Sequence, residues 1–212
     1  MLWNMLKKDF LIVKKEMGIR LLITMLIPPF LLWNMESYAG EMGFLLMTIF
    51  MVLQMVQLVF HKESRYPKAA ALLGAAPYPR YLMVASKYCF CIALYLICCL
   101  AFFVETLFLR KLGGLPPELA AVVFFIITVF FAFYLPVQYK LGYEKTRFIF
   151  SVVIIASPFI LAKIIEKQET GFGTFAALSS VMFIAMAVAA GTVVFVLSGM
   201  ISVRIFERKD LV

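Results

Sequence analysis

The chain has 212 residues, of which 64% are hydrophobic and only 15% are charged. A soluble domain of this size would carry about 25% charged residues, so the polar residues here are too few to cover a water-exposed surface. The net charge of +8 is spread over short segments between apolar runs, which indicates membrane topology and not a basic face for nucleic acid. The mean hydropathy of +0.99 predicts an all-α integral membrane protein.

The first 17 residues are predicted to form an amphipathic helix in the membrane interface. Five apolar residues recur there at helical spacing: Trp3, Leu6, Phe10, Val13 and Met17. The lysines of this segment lie largely elsewhere around the helix, as in helices that lie flat on a membrane. Two interpretations are open, a simple anchor and an elbow helix that also contacts a cytoplasmic partner.

Six apolar blocks are long enough to cross a bilayer as helices. A hydrocarbon core about 30 Å thick needs roughly 20 apolar residues per helix. The runs are continuous and lack the alternation of barrel strands, so helices satisfy the backbone in lipid. The predicted spans are 17–34, 43–61, 86–109, 119–138, 148–165 and 175–203. We treat residues 1–212 as one transmembrane domain.

Basic residues are concentrated on one side of this predicted topology. All but four of the 20 Lys and Arg residues lie before or near the start of the first span, around the loop after the second span, after the fourth span, or after the sixth. The exceptions are Arg110, Lys111, Lys163 and Lys167. The positive-inside rule therefore predicts that both termini are cytoplasmic.

The longest hydrophilic segment, residues 62–85, is predicted to be a cytoplasmic loop that contains a short helix. Its middle, residues 67–74, is rich in alanine and leucine. Pro77 and Pro79 would end a helix there because proline lacks an amide donor and clashes with the preceding turn.

Three polar side chains are predicted at membrane depth and are candidates for a translocation path. Gln54 and Gln57 share one face of the second span, where a bond to a neighbouring helix is the commoner role. Glu105 lies in the outer half of the third span, and a carboxylate at that depth usually faces protein or water. Glu105 is therefore either a contact in the path or an interfacial residue within reach of Arg110.

Catalytic motifs are missing from the sequence. No glycine is followed by Lys-Ser or Lys-Thr, so there is no Walker A loop, and neither G-x-S-x-G nor H-E-x-x-H occurs. The four cysteines all lie in the third span and the one histidine is His61, so we expect no metal site. The sequence predicts a protein that is not an enzyme and binds no cofactor itself.

Several motifs, taken in order along the chain, resemble the ABC-2 type permease family. Glu63 is followed by the pair Leu72-Leu73, by APYPR at residues 76–80 and by Ser86-Lys87-Tyr88. The family pattern has a Glu, a Leu pair, a Leu-Pro-x-x-Arg stretch and a Lys-Tyr that opens the next helix; Ala76 stands where its leucine is usual. Further likenesses lie at residues 7–10, 135–147 and 202–210.

This resemblance implies a bacterial plasma-membrane permease that forms a pore with a second permease, identical or related. A separate ATP-binding subunit would bind the ATP, and the loop after the second span would dock on it as a coupling helix. The implied cargo is an amphipathic or hydrophobic peptide, as in peptide export and antimicrobial-peptide resistance systems, or a lipid or drug. The residues that the resemblance assigns to ATPase coupling are Glu63, Tyr66, Leu72, Leu73, Pro77 and Arg80, with Glu144 and Arg147 as a secondary contact.

Two other classes of function fit the composition, a non-transporting membrane assembly protein and a small channel. A channel is expected to carry a polar or charged stripe along its pore. Only Gln54 and Gln57 approach such a stripe. An intramembrane enzyme is disfavoured because the catalytic constellations are missing.

Overall fold

The computed structural model describes residues 1–34, 39–65, 80–112, 114–148 and 180–208, and every regular element in these ranges is helical. The named helices are α1 (Leu2–Met25), α2 (Ile27–Asn34), α3 (Ala39–Arg65), α4 (Arg80–Phe108), α5 (Pro117–Leu141) and α6 (Ser180–Glu207). A 3-10 turn at Arg110–Leu112 follows α4, and residues 143–148 are also helical. The all-α prediction is confirmed for this part of the chain.

Within the described ranges, four helices are long and apolar enough to cross a bilayer. They are Ala39–Arg65, Tyr81–Phe108, Pro117–Leu141 and Val181–Glu207. Large apolar side chains are exposed on these helices, for example Leu100 on α4 and Val193 on α6, and such a surface suits lipid better than water. These helices correspond to predicted spans two, three, four and six. Of the fifth predicted span, only residue 148 lies within the described ranges.

The N-terminal region differs from the prediction. α1 continues past the predicted boundary between interfacial helix and first span, ends at Met25, and is followed by a turn at Leu26 before α2 begins. The break has a local cause, because Pro28 and Pro29 have no N–H to donate to the last carbonyls of α1. The predicted span 17–34 is therefore divided between two helices.

The helices on both sides of the predicted coupling loop are longer than hydropathy indicated. α3 continues through charged residues to Arg65 and α4 begins at Arg80, so both helices extend into the predicted loop of residues 62–85. The charged groups near these ends bond to neighbouring helices, as described below, and a hydropathy pattern does not detect such partners. Four predicted coupling residues lie outside the described residues: Tyr66, Leu72, Leu73 and Pro77.

Each long helix has one of its termini at the same end of the bundle, as contacts between side chains show. Phe60 of α3 and Tyr139 of α5 have ring centroids 5.8 Å apart, and Tyr139 lies 5.5 Å from Phe206 of α6. Lys87, near the start of α4, lies 5.4 Å above the centre of the Phe60 ring, and Lys8 of α1 bonds to the end of α3. We call this the charged end. The start of α1 and the end of α6 thus lie at the same end of the bundle.

α5 and α6 run side by side in the same direction and make the most extensive helix contact in the described structure. The residue numbers of contacting pairs rise together along the two helices, and their difference is nearly constant. The pairs are Thr128 with Gly191, Ala132 with Ser198, and Tyr139 with Phe206. Because both helices run towards the charged end, a six-span topology requires one more crossing between them. The predicted crossing, 148–165, falls almost entirely outside the described ranges.

Candidate functional site

Four charged side chains from three helices meet at the charged end. Lys87 Nζ of α4 lies 2.8 Å from Asp9 Oδ1 of α1 and 2.7 Å from Glu63 Oε1 of α3. Lys8 Nζ lies 2.9 Å from the same Glu63 oxygen and 3.4 Å from Asp9 Oδ1. Two cations and two anions balance, so the group has no formal net charge. We call these four residues the ion-pair cluster.

The centre of the ion-pair cluster is buried. The Asp9 side chain is 0% exposed and that of Lys87 is 6% exposed, whereas Lys8 and Glu63 are at its more accessible edge. Ser86 Oγ also donates to Asp9 Oδ2 at 3.2 Å, so both carboxylate oxygens of Asp9 have a partner. Burying a charge is costly unless it is paired and hydrogen-bonded. The pairing therefore explains how charged groups are accommodated between three helices.

The surroundings of Lys8 raise the pKa of its ammonium group. Burial by itself lowers this pKa, but the carboxylates of Glu63 and Asp9 favour the charged form more strongly, and the net shift is upward from 10.5. The stabilisation that this charge provides is fully present below pH 10.5 and is lost as the pH rises through the folded-state pKa. Lys8 is therefore a fixed cation at physiological pH.

A second polar group continues along the contact between α1 and α3. Lys62 Nζ lies 3.0 Å from Glu16 Oε1 and donates to the Ile12 carbonyl at 2.9 Å. Arg20 pairs with Glu16 at 2.8 Å and donates to Gln54 Oε1 at 3.5 Å. The hydrogen bonds from Lys62 and Arg20 lower the pKa of Glu16, so its contribution to stability is present above pH 4.5 and is lost on acidification. α1 is thus held to α3 by charges along much of its length.

The predicted coupling residues that the structure describes lie at or near the charged end. Glu63 belongs to the ion-pair cluster, where both of its cationic partners come from this chain. Glu144 and Arg147 are exposed on the helical residues 143–148. His61 of α3 packs against Tyr143 beside them, with ring centroids 5.2 Å apart. The side chain of Arg80 lies outside the described part.

The three polar residues predicted at membrane depth are all within described helices. Gln54 accepts its hydrogen bond from Arg20, which ties α3 to α1. Gln57 Nε2 and Glu105 Oε2 are buried and have no hydrogen-bond partner among the residues that the structure describes. The Glu105 side chain is buried in the half of α4 that lies farther from the charged end. The side chain of Arg110, its sequence-predicted alternative partner, lies outside the described part.

A group of buried hydroxyls adjoins the ion-pair cluster. Tyr88 Oη lies 2.8 Å from both Ser198 Oγ and Ser202 Oγ of α6. Ser198 donates in turn to the Ala132 carbonyl of α5 at 2.7 Å. The Tyr88 ring packs edge-on against Phe195, with centroids 4.7 Å apart. We call Tyr88, Ser198 and Ser202 the hydroxyl network; it links α4, α6 and α5.

An open groove of about 680 Å³ runs between α4 and α6 beside the hydroxyl network. Apolar residues such as Ile92 and Val196 line the part that lies farther from the charged end. Tyr81, Arg204 and Glu207 line the part that lies nearer to it. The groove is therefore amphipathic along its length.

Sequence reasoning missed the central residue of this site. Asp9 was not assigned a role of its own, although Met5, Asp9 and Val13 recur every four residues and are all buried on one face of α1. An acidic residue in register with the buried apolar positions was the available signal. Ser198 and Ser202, also four residues apart, give a comparable signal in α6.

The helices and the ion-pair cluster define a multi-pass helical membrane protein in which ion pairs bind Glu63 and Lys87, on either side of residues 66–79, to the N-terminal helix. A comparison with protein families finds that the family described as ABC-2 family transporter protein matches residues 4–207. The chain belongs to this family, whose members are membrane components of ABC transporters, and membership implies association with an ATP-binding subunit. Comparisons with curated proteins and with solved structures found no match.

Proposed function

We propose that this chain is the permease subunit of an ABC exporter. It forms the translocation path with a second permease, identical or related, and a separate ATP-binding subunit drives it. Family membership supports the permease assignment. The proposed location is the bacterial plasma membrane with the charged end in the cytoplasm, since nearly all Lys and Arg residues fall on that side of the predicted topology.

The observation that carries the mechanism is that the ion-pair cluster joins both flanks of residues 66–79. Glu63 lies at the end of α3, just before this segment, and Lys87 lies in α4 just after it. Their direct bond is 2.7 Å long, and Asp9 and Lys8 fix the same pair to α1. A force that a partner applies to the loop is therefore passed to three helices together. A coupling loop needs such a rigid connection, because a flanking helix that bent independently would not pass the movement of the loop to the other helices.

In the proposed cycle, the loop docks on the ATP-binding subunit, and closure of that subunit moves α1, α3 and α4. Glu63 takes a different role from the one that the resemblance implied. Its carboxylate is engaged by Lys8 and Lys87, so we assign it to the base of the loop and not to the docking surface. The proposed docking residues are Tyr66, Leu72, Leu73, Pro77 and Arg80, with Glu144 and Arg147 as a second contact.

The docking assignment predicts that Arg80→Glu removes the ATP-binding subunit from the complex. Loss of one charge-assisted bond of about 1.5–3 kcal/mol weakens association at least about tenfold. The measurement is a mild-detergent pull-down of the tagged chain from its native membrane, with mass spectrometry of what is recovered. The wild-type chain should bring a stoichiometric subunit that carries a Walker A motif.

Arg208→Glu is the matched control, because it makes the same charge reversal at an exposed residue near the end of α6. It should leave recovery of the subunit unchanged. Equal recovery with Arg80→Glu and with wild type would remove the docking assignment. A wild-type preparation with no ATP-binding subunit, with or without ATP, would favour the assembly-protein or channel alternative.

We propose an amphipathic or hydrophobic peptide as cargo. The groove between α4 and α6 supports this choice, because apolar walls and a charged mouth match a molecule that has both characters. Met200 lines the groove, and thioether side chains adapt to varied shapes. Gln54, Gln57 and Glu105 stay candidates for polar contacts elsewhere in the path.

The groove assignment predicts that Gly199→Leu reduces transport severalfold. Among the described residues, a Cβ at Gly199 would meet only the Tyr88 ring, at 4.0 Å, so a larger side chain enters the groove without clashing with their backbone. The measurement is ATP-dependent uptake of a fluorescent amphipathic peptide into inside-out vesicles. Gly18→Leu is the control, since a Cβ there has no atom of the described residues within 4 Å. Equal uptake by all three chains would contradict the assignment, provided that the ATP-binding subunit is present in each.

A further inference from the structure

Three consecutive residues near the start of α4 bond to different helices. Ser86 and Lys87 donate to Asp9 of α1 at 3.2 and 2.8 Å, and Lys87 also bonds to Glu63 of α3 at 2.7 Å. The hydroxyl of the next residue, Tyr88, lies 2.8 Å from two serine hydroxyls of α6. One turn of α4 therefore holds the ion-pair cluster and the hydroxyl network at the same level of the bundle.

Helix geometry explains how one turn serves both groups. Successive residues on an α-helix are separated by about 100° around its axis, so three in a row cover roughly 200°. This spread matches the packing of α4, which contacts α1 and α3 as well as α6. The turn also follows closely on residues 66–79, the proposed coupling loop.

We propose that residues 86–88 form a hub that passes movement of the loop to two groups of helices at once. Through Lys87 and Ser86 the hub moves with α1 and α3, and through the Tyr88 hydroxyl it moves α6 and, by the Ser198 bond, α5. Tyr88 is in this sense a positioning residue, which acts through the serines of α6. This inference rests on the proposed function, because the movement originates in the ATP-binding subunit.

The hydroxyl, and not the ring, is the part of Tyr88 that fixes α6. The ring contact with Phe195, at 4.7 Å between centroids, is apolar, so it fixes the relative position of the two helices less sharply than a hydrogen bond does. The hydrogen bonds are directional, and both Ser198 and Ser202 are buried, at 5% and 0% exposure. A buried hydroxyl that loses its partner is costly, so these bonds favour one register of α6 against α4.

The test compares Tyr88→Phe with Tyr95→Phe, which removes the same atom two turns farther along α4. The Tyr95 hydroxyl donates to the Ala120 carbonyl at 2.8 Å, and its ring packs on Phe124 with centroids 5.4 Å apart. Tyr95→Phe thus loses one hydrogen bond between α4 and α5, whereas Tyr88→Phe loses the two between α4 and α6. Only Tyr88 lies in the hub.

The measurement is hydrogen–deuterium exchange of each permease in complex with its ATP-binding subunit, with and without a non-hydrolysable ATP analogue. The analogue should change exchange at residues 60–65 and 80–87 in all three complexes. Residues 198–208 should respond in wild type and in Tyr95→Phe but not in Tyr88→Phe. A response of α6 that persists in Tyr88→Phe, or that is lost equally in both variants, overturns the hub.

If the proposed function is wrong, the observation is different: no ATP-binding subunit copurifies with the wild-type chain. The hub is then tested in the isolated chain with Glu63→Gln, which perturbs the ion-pair cluster from the α3 side. This variant should alter exchange at residues 198–208 when Tyr88 is present and have no such effect in the Tyr88→Phe background. Equal effects in both backgrounds would overturn the hub without any partner.

Discussion

Replacing Lys87 by methionine should lower the free energy of unfolding by about 3–5 kcal/mol, the usual result of breaking a buried ion pair from one side. The substitution deprives Asp9, whose side chain is 0% exposed, of its partner at 2.8 Å. The ammonium group of Lys8 lies farther away, at 3.4 Å, and compensates only in part. Methionine keeps the length and apolar character of the lysine stem, so lost packing contributes little. The measurement is reversible unfolding in detergent micelles.

A double variant separates the effect of charge from the effect of shape. Asp9→Asn together with Lys87→Met removes one anion and one cation and leaves the Lys8–Glu63 pair, at 2.9 Å, in place. Most of the lost stability should return, because replacing both members of a buried pair is often nearly neutral. A double variant as unstable as Lys87→Met alone would show that an unpaired charge is not the cause.

Gly191→Leu should disrupt the packing of α5 against α6. A Cβ alone at this position would lie 2.8 Å from Thr128 Oγ1 and 3.3 Å from Phe124 Cε1, and leucine adds three more carbons. Overpacking of a tight contact costs typically about 1–3 kcal/mol, and the parallel helices have little freedom to separate because Ser198 is bonded to Ala132. The expected result is a lower unfolding midpoint and a lower yield of folded protein.

Gly199→Leu, on the same helix, is the control for this prediction. The new side chain enters the groove, where its Cβ lies at ordinary contact distance, 4.0 Å, from the Tyr88 ring, so stability should stay within about 0.5 kcal/mol of wild type. Equal destabilisation by the two substitutions would mean that the close approach at Gly191 is not what sets the cost. Gly199→Leu thus tests transport in vesicles and packing in micelles with one protein.

The helices were predictable from the sequence because the bilayer sets their length. Apolar runs of about 20 residues are required to cross it, and four of the predicted spans correspond to α3, α4, α5 and α6. The residues at which helices begin and end were less predictable at the charged end of the bundle. Lys62 and Glu63 continue α3 because they bond to α1, and hydropathy counts them only as polar. The turn at Leu26 had a visible cause in Pro28 and Pro29, but its position did not follow from the apolar run.

The candidate site was predictable only in part, because its bonds join distant parts of the chain. Glu63 was identified through a resemblance, yet its partners emerged only from the structure. Asp9 bonds to a lysine 78 residues away, and Tyr88 bonds to a serine 110 residues away. No local pattern connects such pairs. The sequence shows only that a charge or a hydroxyl lies at helical spacing with apolar residues. This pattern identifies the buried face of a helix but not the helix that packs against it.

The order of the bonds along the chain also bears on biogenesis. All four members of the ion-pair cluster are synthesised within the first 87 residues. The serine partner of the Tyr88 hydroxyl is synthesised 110 residues later. At ribosomal speeds of about 5–20 residues per second, that interval is on the order of 10 s. The junction of α1, α3 and α4 is therefore available for assembly while the rest is still being translated. The insertion machinery or lipid must shield the exposed side of α4 until α6 arrives.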